Sequence, residues 1–254
     1  MMWLPESGCG PGCRTGGDDP ARHGTATLRM AGVCTVLLLS LVVLPLLRRA
    51  AVRAGARALL ALLGVRLVWR GPLPRPGSLL VANHVSWLDI VALVAVVPVR
   101  LVAKSEVRTW PAVGALAAAT GAIFLDRTRP RTLPRTVAEV AAALRAGRTV
   151  AVFPEGTTFC GARQGRFRPA VFQAAVDAGA PVVPVSIRYD STAAAFVGDD
   201  TLWSSVRRVA GLRGMTATLV AAPALRPTEG TDRRALARAA QACVGVTSGF
   251  GLAA

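Results

Sequence analysis

Ser78-Leu79-Leu80-Val81-Ala82-Asn83-His84-Val85-Ser86-Trp87-Leu88-Asp89 is the stretch on which the fold turns. A short apolar run of strand length passes through a polar turn, Asn83-His84, into residues whose composition suits a helix. Working outward, the same alternation recurs. Strands are expected over 78–82, 100–103, 122–125, 149–153, 182–188 and 216–221, and helices over 87–97, 111–120, 133–146, 169–178 and 232–246. Gly147 marks the stop of the helix that starts at Leu133. Strands alternating with helices predict an α/β class, a mixed sheet flanked by helices, with reactive groups at strand ends.

Within the opening stretch, His84 and Asp89 are separated by five residues. On one continuous helix that spacing turns through about 500° and puts them on different faces. They converge only if His84 stands in the turn before the helix, with Ser86 as N-cap and Asp89 in the first turn. Asp89 would then fix the imidazole tautomer while the other ring nitrogen takes a proton from a hydroxyl. Ser86 with Asp89 also matches a Ser-x-x-Asp capping pattern, in which the carboxylate only caps and His84 is a core residue. Both readings stand at the level of spacing.

Two further segments end in polar groups. Gly121-Ala122-Ile123-Phe124-Leu125-Asp126-Arg127 delivers a guanidinium to a strand end, where it suits a phosphate. Phe153-Pro154-Glu155-Gly156-Thr157-Thr158 is a tight turn after an apolar strand. Its backbone N–H groups can face an anion, and Glu155 can either take a substrate hydroxyl or orient Arg127. Each alone is also an ordinary strand end or turn.

Together, in this order, these segments resemble the blocks of the 1-acyl-glycerol-3-phosphate acyltransferase (glycerolipid and lysophospholipid acyltransferase) family. A fourth block, Val182-Val183-Pro184-Val185-Ser186, matches as well. The resemblance implies an enzyme that moves a fatty acyl group from acyl-CoA or acyl-carrier protein to the sn-2 hydroxyl of 1-acyl-glycerol-3-phosphate, giving phosphatidic acid. It implies His84 and Asp89 as catalytic, and Arg127, Glu155, Gly156 and Thr157 as substrate-binding. It further implies direct transfer without an acyl-enzyme, and a fourth block that lines the acyl-binding side. The family commonly has Arg where this chain has Thr158, with Arg163, Arg166 and Arg168 as alternatives, so another lysolipid such as lyso-ornithine lipid is a second expected acceptor. A membrane-tethered binding protein without turnover is the reading from a different class. A serine hydrolase is disfavoured because no Gly-x-Ser-x-Gly elbow exists.

Upstream, the 18 residues 30–47 carry no charge and are bounded by Arg29 and by Arg48 with Arg49. That is the lower limit for a membrane helix, and the denser basic flank after it predicts a catalytic domain facing the cytoplasm from the cytoplasmic membrane. Pro45 keeps a half-inserted helix open. Arg49, Arg53 and Arg57 recur opposite Leu59, Leu60, Leu62 and Leu63, as in an interfacial helix or an ordinary amphipathic core helix. Residues 1–29, rich in Gly and Pro, are expected to be a disordered tail, 30–70 anchoring and interfacial helices, and 71–254 the α/β domain. Met30 is a second candidate start.

Composition agrees with lipid partners. Of 254 residues 52% are hydrophobic, and the formal charge is +16. Such charge suits an anionic surface, while aromatics at 5% and the absence of a reader motif speak against nucleic acid. All basic residues but Lys104 are Arg, a bias that reflects coding preference in part. Five scattered cysteines predict no disulfide framework. With two histidines, and no ligand set beside Cys9 and Cys13, neither a metal nor another cofactor is expected.

Overall fold

Strands that are apolar on both faces need cover on both faces, and helices supply it. The computed structural model describes residues 5–14, 24–110 and 112–249. In chain order its elements are α1 (Thr25–Leu62), β1 (Val65–Arg70), β2 (Leu79–Ala82), α2 (Leu88–Val96), β3 (Val99–Lys104), α3 (Val113–Ala119) and β4 (Ile123–Leu125). They continue with α4 (Leu133–Arg145), β5 (Thr149–Val152), α5 (Phe172–Ala178), β6 (Val182–Tyr189), α6 (Leu202–Ala210), β7 (Met215–Ala221) and α7 (Arg233–Gly249). The strands form one sheet in the order β1-β7-β6-β2-β5-β3-β4. It is mixed: β6 and β7 run antiparallel, and every other pairing is parallel.

Alternate residues of the strands divide the core into two layers. Leu80, Ala82, Ala151, Val183, Val185 and Ile187 face α1, α2 and α6. Leu79, Val81, Ile123, Val150, Val152 and Val182 face α4, α5 and α7. Since β2 lies between β5 and β6, its carboxyl end opens where the chain crosses to either side, the place where sheets of this kind carry their sites. Pro184 is tolerated in this central strand because its carbonyl, which accepts from Ala222 at 2.9 Å, faces β7 just beyond the last paired residue, Val185. The missing N–H points to that same side, so the pairing with β2 is left intact.

All six expected strands and all five expected helices are present within a few residues. Gly147, at φ 70°, does terminate α4. Three expectations change. Residues 30–47 and the amphipathic stretch after them are one helix of 38 residues, about 57 Å long at 1.5 Å per residue. In its last turns the core-helix reading holds: Leu59, Leu60 and Leu63 are buried. Arg53 and Arg57 donate to the carbonyls of Val96 and Ala95, satisfying the otherwise orphaned end of α2. Second, residues 65–70, placed with the anchoring helices, are β1 of the sheet; Gly64, at φ 70°, breaks the helix just before it. Third, part of the expected disordered tail is ordered. Residues 11–14 form a 3-10 turn, Cys9 is buried, and Arg14 pairs with Asp200 at 2.9 Å. The rest of that tail, 1–4 and 15–23, lies outside the described residues. Among the described residues no helix is long and apolar enough to cross a membrane.

Leu80 is fully buried in β2, whereas Leu38 on α1 is 63% exposed. Leu80→Ala is expected to cost about 2 to 5 kcal/mol and Leu38→Ala close to nothing. Urea unfolding of the two variants checks this.

Candidate active site

The carboxyl ends of β2, β5 and β6 meet around His84 and Asp89, and Arg127 after β4 reaches the turn that follows β5. β2 stops at Ala82, and Asn83 extends it with a side chain: its amide donates to the Ile187 carbonyl at 2.9 Å and accepts from the Ile187 N–H at 2.7 Å. This mimics one more rung of the ladder to β6 and releases the chain into the turn that holds His84.

Asp89 is fully buried in the first turn of α2. Its Oδ2 meets His84 Nδ1 at 2.8 Å and accepts the N–H groups of Val85 at 2.7 Å and Ser86 at 2.9 Å. The orienting and capping readings of Asp89 are therefore both true, since one oxygen performs both tasks. Ser86 lies one residue ahead of the expected position: Trp87 is the N-cap, and the Ser86 Oγ accepts the Leu88 N–H at 3.3 Å. A residue the sequence reading missed, Tyr189, donates its hydroxyl to Asp89 Oδ1 at 2.6 Å. Burial, then the Asp89 charge, pushes the Tyr189 phenol well above its ordinary value, so it remains a donor. No local pattern marks it, since only the pairing of β6 with β2 brings it to Asp89.

The His84 ring stacks on Phe153 with centroids 4.0 Å apart, which fixes its plane. Its side chain retains 18% exposure, and among the described residues only Nδ1 is engaged. With Nδ1–H given to a carboxylate, Nε2 carries the lone pair. So arranged, the pair can serve as a general base toward a hydroxyl that reaches its exposed edge.

Glu155 is turned toward backbone donors. One oxygen accepts the His84 N–H at 2.6 Å and the other the Gly165 N–H at 2.8 Å, so the carboxyl ties the catalytic turn to the loop after β5. Burial pushes this carboxyl up to about 7, those two N–H donors oppose the shift, and the Asp89 charge adds to it. The turn itself is closed by Gly156 N–H to Phe153 O at 3.1 Å, with Pro154 and Gly156 where a β-turn favours them. Gly156 is required: at φ 79°, a side chain there would start 2.9 Å from Pro5 Cγ and 3.7 Å from Arg168 Nε. Arg127 donates to the Gly156 carbonyl, so Arg127 and Arg168 bracket the turn, while Thr157 is half-buried on it. Burial draws the Arg127 guanidinium below its ordinary value, Glu106 opposes this, and Arg168 adds to it. The Thr158 hydroxyl is turned onto the Phe196 carbonyl.

Beside the turn lies a cavity of about 420 Å³ lined by Glu155, Phe159, Arg166, Arg168, Arg234 and Arg238 among others. His84 is not part of its wall. Another cavity, around Val99 and Thr149, lies at the amino ends of β3 and β5, the far end of the strands from these groups. The fourth block lines neither of these cavities: Val182–Ile187 is buried, with helices over both faces of β6. One expectation about cysteines also changes, since the fold brings Cys160 to Cys9 and Cys13.

Two outcomes follow. A carboxyl whose folded value exceeds its ordinary 4.5 favours the folded state when protonated, so its contribution is complete below about pH 4.5 and is lost as pH rises through about 7. At 1.36 kcal/mol per pH unit that span amounts to on the order of 3 kcal/mol. Urea unfolding between about pH 4.5 and pH 8 should show this loss in the parent chain and not in Glu155→Gln. Tyr189→Phe strips a donor from a buried carboxylate and is expected to cost about 1 to 3 kcal/mol, read by thermal unfolding.

Comparison with known proteins agrees with this geometry. The acyltransferase family profile matches residues 66–188, which hold His84, Asp89, Arg127 and Glu155 and stop one residue short of Tyr189. The chain is 40% identical over 192 residues to the lyso-ornithine lipid O-acyltransferase of Pseudomonas aeruginosa, covering 72% of each chain. It is 35% identical over 194 residues to the 1-acyl-sn-glycerol-3-phosphate acyltransferase of Neisseria gonorrhoeae, covering 74% of this chain and 76% of that one. The crystal structure of the 1-acyl-sn-glycerophosphate acyltransferase of Thermotoga maritima shares the fold at a TM-score of 0.69, with 23% identity over 88% of this chain and 93% of that one. An oriented histidine at the end of a central strand, in a sequence with this degree of identity, makes the chain a member of the acyltransferase family and an enzyme of that class.

Proposed function

We propose that the chain transfers a fatty acyl group from a thioester donor, acyl-CoA or acyl-carrier protein, to the free hydroxyl of 1-acyl-glycerol-3-phosphate, yielding phosphatidic acid. The observation that carries this reading is the His84–Asp89 contact at 2.8 Å with an exposed ring edge. His84 Nε2 takes the hydroxyl proton as the alkoxide oxygen attacks the thioester carbonyl. The tetrahedral adduct collapses with cleavage of the C–S bond, and the imidazolium returns its proton to the departing thiolate. Asp89 stabilises the imidazolium between these steps, and no acyl-enzyme is formed. Arg127 and Arg168, on either side of the 154–157 turn, suit the acceptor's phosphate.

Lyso-ornithine lipid is the second acceptor, favoured by Thr158, which is tied to the backbone where relatives of the resembled family carry an arginine. The name of the Pseudomonas aeruginosa relative agrees with it.

Attachment to the cytoplasmic face of a membrane completes the proposal. On α1, Met30, Val33, Val36 and Leu37 pack against the domain, whereas Leu28, Leu38, Leu39 and Val42 are 57% to 75% exposed. A helix clad on one side by protein and apolar on the other suits one leaflet rather than a full crossing. An enzyme so held meets lysolipid and acyl donor where both are concentrated.

Purified protein given labelled acyl donor and each acceptor in turn should acylate 1-acyl-glycerol-3-phosphate. His84→Ala should lower kcat by about 10²- to 10⁴-fold with the circular dichroism spectrum retained. Sole acylation of lyso-ornithine lipid would replace the first acceptor with the second; undiminished turnover in the mutant would remove the mechanism. Co-sedimentation with anionic vesicles should weaken in Leu38→Glu/Leu39→Glu.

A further inference from the structure

We propose that Cys9, Cys13 and Cys160 form a thiolate site for a soft divalent cation of the zinc class. The three sulfurs, brought together from the N-terminal segment and from the loop after β5, all lie within 4.8 Å of one another. A tetrahedral zinc with Zn–S bonds of about 2.3 Å sets its sulfurs about 3.8 Å apart. Closing the site therefore asks each sulfur to move by roughly half an ångström, within the reach of a rotamer adjustment.

Each segment is shaped as a ligand turn. Cys9 and Cys13 are separated by three residues, inside the range of paired cysteines in structural zinc sites. The turn between them is closed by Cys13 N–H to Gly10 O at 3.0 Å. Cys160 is followed by Gly161 at φ 87°, a left-handed turn that lies against Val85. The Ser7 hydroxyl oxygen accepts the Cys9 N–H at 3.2 Å and so fixes the backbone ahead of the turn. Val85, Ala195 and Val197 close the inner side with apolar surface. Packing alone accounts for one buried cysteine such as Cys9. It does not account for Cys13 and Cys160, which are half-buried and turned onto the same point.

Binding displaces one proton from each thiol, leaving a complex of net charge −1. Arg163 is close by, its guanidinium 3.9 Å from where a side chain on Gly8 would begin. Among the described residues no fourth His, Cys, Asp or Glu joins the group, so water takes the remaining position. The ion would fasten residues 5–14 to the loop whose Phe159 N–H donates to the His84 carbonyl at 2.7 Å. The site itself does not depend on which lysolipid is acylated.

The test uses the full chain, purified reduced, equilibrated with Zn²⁺ and desalted, with zinc measured by atomic emission. A parallel sample takes Co²⁺ and is read by its thiolate-to-metal charge-transfer absorption. One ion per chain is expected in the parent and in Cys34→Ser, whose cysteine is exposed on α1. Cys160→Ser and Cys13→Ser should lose the bound ion and the absorption while retaining the parent's circular dichroism. If Cys160→Ser fails to fold, the half-buried Cys13→Ser decides alone. A reduced parent chain that binds no ion, or a Cys13→Ser variant that binds it undiminished, overturns the proposal.

Discussion

A single carboxylate organises the site. Asp89 is sealed from solvent and satisfied by four donors: the His84 ring, the Val85 and Ser86 N–H groups, and the Tyr189 hydroxyl. A buried charge survives only with such company. The donors come from the turn, the helix entrance and a neighbouring strand, so they must all stand in register for the charge to be tolerated. Fold and chemistry are thereby coupled: the arrangement that makes the carboxylate affordable also fixes the imidazole in one orientation.

A second carboxyl works from the other side. Glu155 grips the backbone of His84 rather than its ring, and the same side chain holds the loop at Gly165. His84 is thus clamped at the main chain by one acid and at Nδ1 by another, with Phe153 against its face. Positional precision of this kind is what general base catalysis demands, because proton transfer depends on heavy-atom separations of about 3 Å. Arg127 and Arg168 flank the same turn, so His84 and these two guanidinium groups share one foundation.

Much of this could be read in the sequence because strand ends and tight turns have local signatures. The apolar runs before Asn83, Asp126 and Pro154 announced strands, and their polar termini announced the site. What escaped was non-local. Tyr189 carries no motif, and its value arises only when β6 lies beside β2. Glu155 was expected among substrate contacts because spacing cannot show which way a turned carboxyl faces. Residues 65–70 were absorbed into the helical region because a strand at a sheet edge with half-buried residues has no clean alternation. The α6 helix went unassigned, although the Thr201 and Ser204 side chains cap its start reciprocally. Cys160 could not be linked to Cys9 and Cys13 without the fold.

The rung that Asn83 adds between β2 and β6 joins residues 104 positions apart in the chain. Tyr189 reaches Asp89 across a separation of 100, and Phe196 N–H donates to Val85 O from still further along. Contacts of such long range form late, since loop closure must precede their reward. On the ribosome, a polypeptide that has emerged only as far as α5 owns every residue of the His84 turn and none of these three braces. The His84 turn therefore acquires its full support only after the residues up to Phe196 have been made.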